Sequence, residues 1–118
     1  MNRAGVHLLA GTDSPLRNSP PGFGLAEELR LFAEGGVPLF DVRKIATWEP
    51  ASYFGMLDRA GSVEAGRNAD LVILDKDPLA DVANYRTVSS VVAQGRLYDL
   101  AARRLILTRL KAAGKPKQ

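Results

Sequence analysis

One acidic residue carries the chemistry this chain could do. Gly11-Thr12-Asp13-Ser14 follows a short apolar run, Val6-His7-Leu8-Leu9-Ala10. Such a run, closed by glycine, reads as a buried strand of a parallel sheet covered on both faces. Asp13 then stands just past the C-terminal end of that strand, where α/β barrels gather their reactive groups. Gly11 lets the backbone turn sharply, and the Thr12 and Ser14 hydroxyls can bond nearby backbone or a carboxylate. The same four residues also make a good turn in which Asp13 only caps backbone. The pattern leaves both roles open.

Few other side chains could join Asp13. His7 is the sole histidine, and there is no cysteine. His7 alternates away from the end of the strand, which suits a packed or partly exposed strand histidine. Glu27 and Glu28 stand near a helix start, where acids favour the helix dipole. Asp70 and Asp75 bracket a strand and suit bonds to turn backbone, while Asp77 and Asp81 flank Pro78 as loop residues. Trp48, Tyr53 and Phe54 read as packing groups of a short helix.

The elements that must position these groups follow from local signals. Residues 15–24 hold three Pro and two Gly and form a loop. Leu25, Leu29, Phe32 and Ala33 share one face of a helix over 25–34, and Gly35-Gly36 ends it. Pro38 suits the first turn of a second helix, striped by Leu39, Val42, Ile45 and Ala46. A third helix runs from Pro50 to Phe54, closed by Gly55. Residues 69–74 form a strand whose continuous β-branched run requires cover on both faces. Residues 88–92 form another, and Gln94-Gly95 turns the chain into an antiparallel return, Arg96-Leu97-Tyr98. A helix over about 100–112 turns its basic residues outward, and Gly114 to Gln118 fray.

Composition bounds the partners. The chain has 118 residues, enough for one core but fewer than the roughly 250 of a complete barrel enzyme. No apolar run approaches the ~18 residues of a membrane span, and the start is too short in apolar residues for a secretory signal. The absence of cysteine excludes disulfides and thiolate metal sites, and a cytoplasmic location is expected. The net charge of +3 comes from the basic end, Arg103 to Lys117, while the body is mildly acidic. That distribution does not suit a nucleic-acid face.

A wider set of motifs defines a resemblance. After Gly11-Thr12-Asp13-Ser14 come Gly61-Ser62-Val63-Glu64-Ala65-Gly66, Ala69-Asp70-Leu71-Val72, Asp75-Lys76-Asp77-Pro78-Leu79-Ala80-Asp81, and Val88 through Gly95-Arg96. Together these resemble the C-terminal signature of the amidohydrolase superfamily, whose members are metal-dependent hydrolases. Ala46-Thr47, Pro50-Ala51 and Gly55 match its helix-to-loop passage, and Glu28-Leu29 its helix after the active-site loop. Gly95-Arg96-Leu97-Tyr98-Asp99 fits the imidazolonepropionase-like and prolidase-like branch.

The resemblance implies an α/β fold: the C-terminal fragment of a TIM-type (β/α)8 barrel, with its last strand and helices, plus part of a small β-sandwich lobe. Residues 1–58 would be the last strand, active-site loop and following helices. Residues 59–99 would be sandwich strands, and 100–118 the C-terminal helix and basic tail. Asp13 would be the aspartate that binds the metal, zinc foremost, and handles the proton of the attacking water. Such a metal lowers the pKa of water toward ~7, and a carboxylate can pass the proton to a leaving nitrogen. Ser14 and Phe23 would border the substrate. The implied reaction is hydrolysis of a non-peptide C–N bond, in a cyclic amide or dipeptide-like small molecule.

The family takes further ligands from a His-x-His pair on its first strand, a Lys or Glu, and two more histidines on middle strands. None can be located in this sequence. A catalytic zinc takes about three protein ligands, and Asp13 supplies one. The chain alone is therefore expected to be inactive and to hold no metal stably. Its implied partner is the N-terminal barrel half, whether this is a truncated product or half of a split enzyme. The alternative is a non-catalytic binding or assembly module. A lone barrel strand and a sandwich without its other strands also predict exposed apolar surface and self-association.

Overall fold

The computed structural model describes residues 5–14 and 22–113. Most of the expected 15–24 loop and the 114–118 tail lie outside the described residues. The first half is helical. α1 (Gly24–Glu34) buries Leu29. It closes as a Schellman motif: Gly36 takes φ +85°, its amide donates to the Ala33 carbonyl at 2.9 Å, and Val37 donates to Phe32 at 3.1 Å. α2 (Leu39–Ile45) follows Pro38, which stands just before the first turn rather than in it, and buries Val42 and Ile45.

α3 (Trp48–Tyr53) begins two residues ahead of the expected Pro50. Proline is tolerated there because first-turn amides have no intrahelical acceptor. Thr47 precedes it, and its hydroxyl donates to the Arg43 carbonyl at 2.9 Å, tying α3 back to α2. The core of the described residues is Leu29, Val42, Ile45 and Ala51, one or two from each helix. Burying each large aliphatic is worth ~1.5–3 kcal/mol, so this core suffices to set three short helices against one another. Tyr53 and Phe54 do not pack into it. They are 72% and 69% exposed and contact each other edge-to-face, with ring centroids 5.1 Å apart.

The second half is a three-stranded antiparallel sheet in the order β1 (Leu71–Leu74), β2 (Val88–Ala93), β3 (Arg96–Tyr98). Leu71 pairs with Val92 and Val91 with Tyr98, and a bulge falls between Ile73 and Leu74. Gln94 and Gly95 both take positive φ, +51° and +76°, the primed turn expected for a two-residue hairpin. Asp70, just before β1, accepts from the Gln94 amide at 2.6 Å, so this acid does bond turn backbone, that of the β2–β3 hairpin. A 3₁₀ turn, Val82–Arg86, precedes β2, with Asp81 capping it through the Ala83 amide at 2.8 Å. This turn packs against α1 and joins the two halves.

Three expectations are corrected here. Residues 6–10 form no strand, and their one described backbone bond is from the Ala10 amide to the Ile45 carbonyl, 3.2 Å. A parallel strand needs a neighbouring strand, and the described residues offer none beside this segment. β1 is not covered on both faces, since Val72 is 62% exposed. α4 (Leu100–Ala113) does not simply turn its basic residues outward: Arg103 folds back, and its Nη1 donates to the Val88 carbonyl of β2 at 2.6 Å. Leu105, Ile106, Leu107 and Leu110 are exposed instead. The radius of gyration is 16.0 Å, against roughly 13–14 Å for a compact domain of this length. Among the described residues no helix is long and apolar enough to cross a membrane.

Candidate active site

Asp13 is exposed and its backbone is in the left-handed region, φ +46°. Aspartate tolerates this conformation better than most residues, yet it remains strained for any side chain. The surrounding turn is local at one end: the Thr12 hydroxyl oxygen accepts from the Ser14 amide at 3.3 Å. At the other end it is tethered to the helices. The Gly11 amide donates to Glu28 Oε1 of α1 at 2.9 Å, and the Ala10 amide to the last residue of α2. The buried Leu29, Val42 and Ile45 lock those two helices together. Helix packing thus sets where Asp13 stands.

His7 anchors the same segment further back. Its Nδ1 lies 2.7 Å from Glu49 Oε2 of α3, and Lys44 Nζ lies 3.7 Å from Glu49 Oε1. The imidazole is 77% exposed and the Glu49 side chain 14%. His7 is therefore an exposed histidine paired with a largely buried carboxylate, not a partner of Asp13. With Leu9, Ser52 and Tyr53 the pair lines a shallow open cleft. Ser14 is half-buried beside Asp13, and Phe23 is exposed just before α1. Among the described residues no group of three or more His, Cys, Asp or Glu side chains could hold a metal ion. One exposed carboxylate does not fit a catalytic metal by itself.

Glu28 is the residue whose role the sequence reading missed. The helix dipole does not account for it. Glu27 beside it does what an exposed acid does: it binds Arg30, and Arg86 at 2.8 Å. Glu28 instead reaches the Gly11 amide, and its Oε2 is buried with no hydrogen-bond partner among the described residues. A signal was present: Glu28 lies three residues after Leu25 and four before Phe32, on the apolar stripe. An acid on such a stripe needs a partner.

The site thus consists of helices that tether an aspartate turn, followed by a small antiparallel sheet. The amidohydrolase family profile matches residues 1–98, and the chain belongs to that family, whose members are generally metal-dependent. The structure is similar to a molinate hydrolase, with TM-score 0.82 and 30% identity over 98% of this chain and 28% of that one. It is also similar to phenylurea hydrolase B, with TM-score 0.63 and 34% identity over 69% of this chain and 18% of that one. A prolidase-like protein from Bifidobacterium longum aligns with TM-score 0.74 and 26% identity, over 93% of this chain and 28% of that one. No sequence among curated proteins matches. The chain thus spans less than a third of the solved relatives it resembles.

Proposed function

We propose that this chain is the C-terminal portion of a metal-dependent amidohydrolase of the imidazolonepropionase-like and prolidase-like branch. The assembled enzyme hydrolyses a non-peptide C–N bond in a small molecule, and Asp13 is the carboxylate this chain brings to the reaction. The observation that carries the reading is one of proportion: 98% of the chain aligns with only 28% of the molinate hydrolase. Exposed apolar side chains on β1 and α4 support it, because apolar faces of that extent ordinarily have a partner.

Asp13 would be one ligand of the metal, zinc foremost, the N-terminal barrel half as partner would supply the others, and the metal would supply an activated water. In this reading Asp13 takes the proton of an attacking water and returns it to the leaving nitrogen. Ser14 and Phe23 border the substrate. Supplying the N-terminal half in trans tests the reading. Restored zinc-dependent hydrolysis of cyclic amides or dipeptide-like amides, lost in Asp13→Ala, supports it. Hydrolysis by the isolated chain, or reconstituted activity indifferent to Asp13→Ala, overturns it. Tight binding of an unrelated protein, equally indifferent to that substitution, points to the assembly module instead.

A further inference from the structure

We propose that Glu28 is a positioning residue, whose carboxylate holds the turn of residues 11–13 and so aims Asp13. This rests on Asp13 being the catalytic carboxylate of the assembled enzyme. Glu28 stands on the face of α1 that carries Leu29, which is buried against α2. Its Oε1 accepts from the Gly11 amide at 2.9 Å, two residues before Asp13. Its Oε2 is buried and finds no partner among the described residues, so no competing donor draws the group away from Gly11. A hydrogen bond from an amide to a carboxylate is stronger than one between neutral groups.

The turn needs such a hold. Asp13 sits at φ +46°, a conformation its own local energetics disfavour. Among the described residues the segment before it has no strand neighbour, and the Ala10 amide bond to Ile45 is its one other backbone tether. Without Glu28 the Gly11 amide loses its partner and residues 11–13 are free to relax out of the left-handed bend. A carboxylate with one oxygen buried and unmet is also costly. An acid kept there for packing alone would be better replaced by leucine.

Amide hydrogen exchange on the full 118-residue chain tests this, with Glu28→Leu and Glu28→Gln compared with the wild type. Leucine preserves the packing, and glutamine preserves an acceptor oxygen. Glu28→Leu should speed exchange at Gly11 by about tenfold or more while the Val42 amide stays protected, and Glu28→Gln should restore much of the loss. In the reconstituted enzyme, Glu28→Leu should lower kcat about tenfold with KM little changed, and Glu28→Gln should recover most of it. Unchanged Gly11 exchange in Glu28→Leu overturns the proposal, as does a leucine variant as active as the glutamine one. If instead Asp13→Asn proves fully active while Gly11 exchange responds as expected, the catalytic reading of Asp13 fails and the tether stands.

Discussion

Arg86 and Glu27 meet at 2.8 Å across fifty-nine residues of chain, and their ion pair joins the 3₁₀ turn of the sheet half to α1 of the helical half. Glu27 is held below the ordinary carboxyl value of 4.5, first by its hydrogen bonds from Arg30, then by the charges of Arg30 and Arg86. Glu64 is lowered likewise, by Ser62 and then Arg67. A carboxyl group lowered in the folded state stabilises above its unfolded pKa, and that contribution disappears as pH falls through the folded one. Thermal midpoints should therefore be flat near neutrality and decline below about pH 4.5. Glu27→Gln should decline less steeply. Superimposable profiles of the two proteins from pH 3 to 7 would refute the link.

Gly61 presses against the helical core. It takes φ +92°, and a β-carbon there would sit 2.7 Å from the Ala51 β-carbon and 3.4 Å from the Trp48 Cα. Gly66 has a similar φ of +89° but open space around it. Gly66→Ala should therefore cost only backbone strain, about 1–2 kcal/mol. Gly61→Ala adds overpacking against the buried Ala51 and should cost about 2–4 kcal/mol. Denaturant melts of the two variants read the difference. Equal losses would mean that α3 shifts freely to make room.

The hairpin offers a gain. Gln94 occupies φ +51°, where asparagine is more at ease. Gln94→Asn should stabilise the sheet by about 0.5 kcal/mol, because the backbone bonds from Gln94 to Asp70 and from Gly95 to Ala69 remain. Asp70→Ala leaves the Gln94 amide without its acceptor and should cost about 1 kcal/mol. Chemical denaturation of both variants checks the two signs.

The elements legible in the sequence are those whose signals are local. Gly35-Gly36 ended α1, Gln94-Gly95 turned the hairpin, and the stripe of Leu39, Val42 and Ile45 gave α2. Residues 6–10 read as a strand because their composition is that of one, but strand pairing is a property of two segments, and the described residues hold only one of them. Cover for the faces of β1 and α4 is likewise a property of two surfaces, and the described residues leave their apolar side chains exposed. In the candidate site, Asp13 stands out in the sequence by its place after an apolar run. The tether from Glu28 does not, because it joins a side chain to a backbone amide seventeen residues away, and backbone amides carry no sequence mark.

As the proposed carboxylate, Asp13 would set stability against function. Its left-handed backbone costs about 1–2 kcal/mol, and glycine adopts that conformation without penalty but loses more entropy on folding, about 0.5–1 kcal/mol. Asp13→Gly should therefore leave the isolated chain as stable as the wild type or more so, by up to about 1 kcal/mol. Asp13→Asn keeps a side chain tolerant of positive φ and should be neutral for folding. Both remove the carboxylate and should abolish hydrolysis by the reconstituted enzyme. Melting curves and turnover measured on the same two variants separate the roles. If both variants instead melt lower than the wild type and retain turnover, the aspartate serves the fold as a turn cap, and the proton transfer must lie with another group.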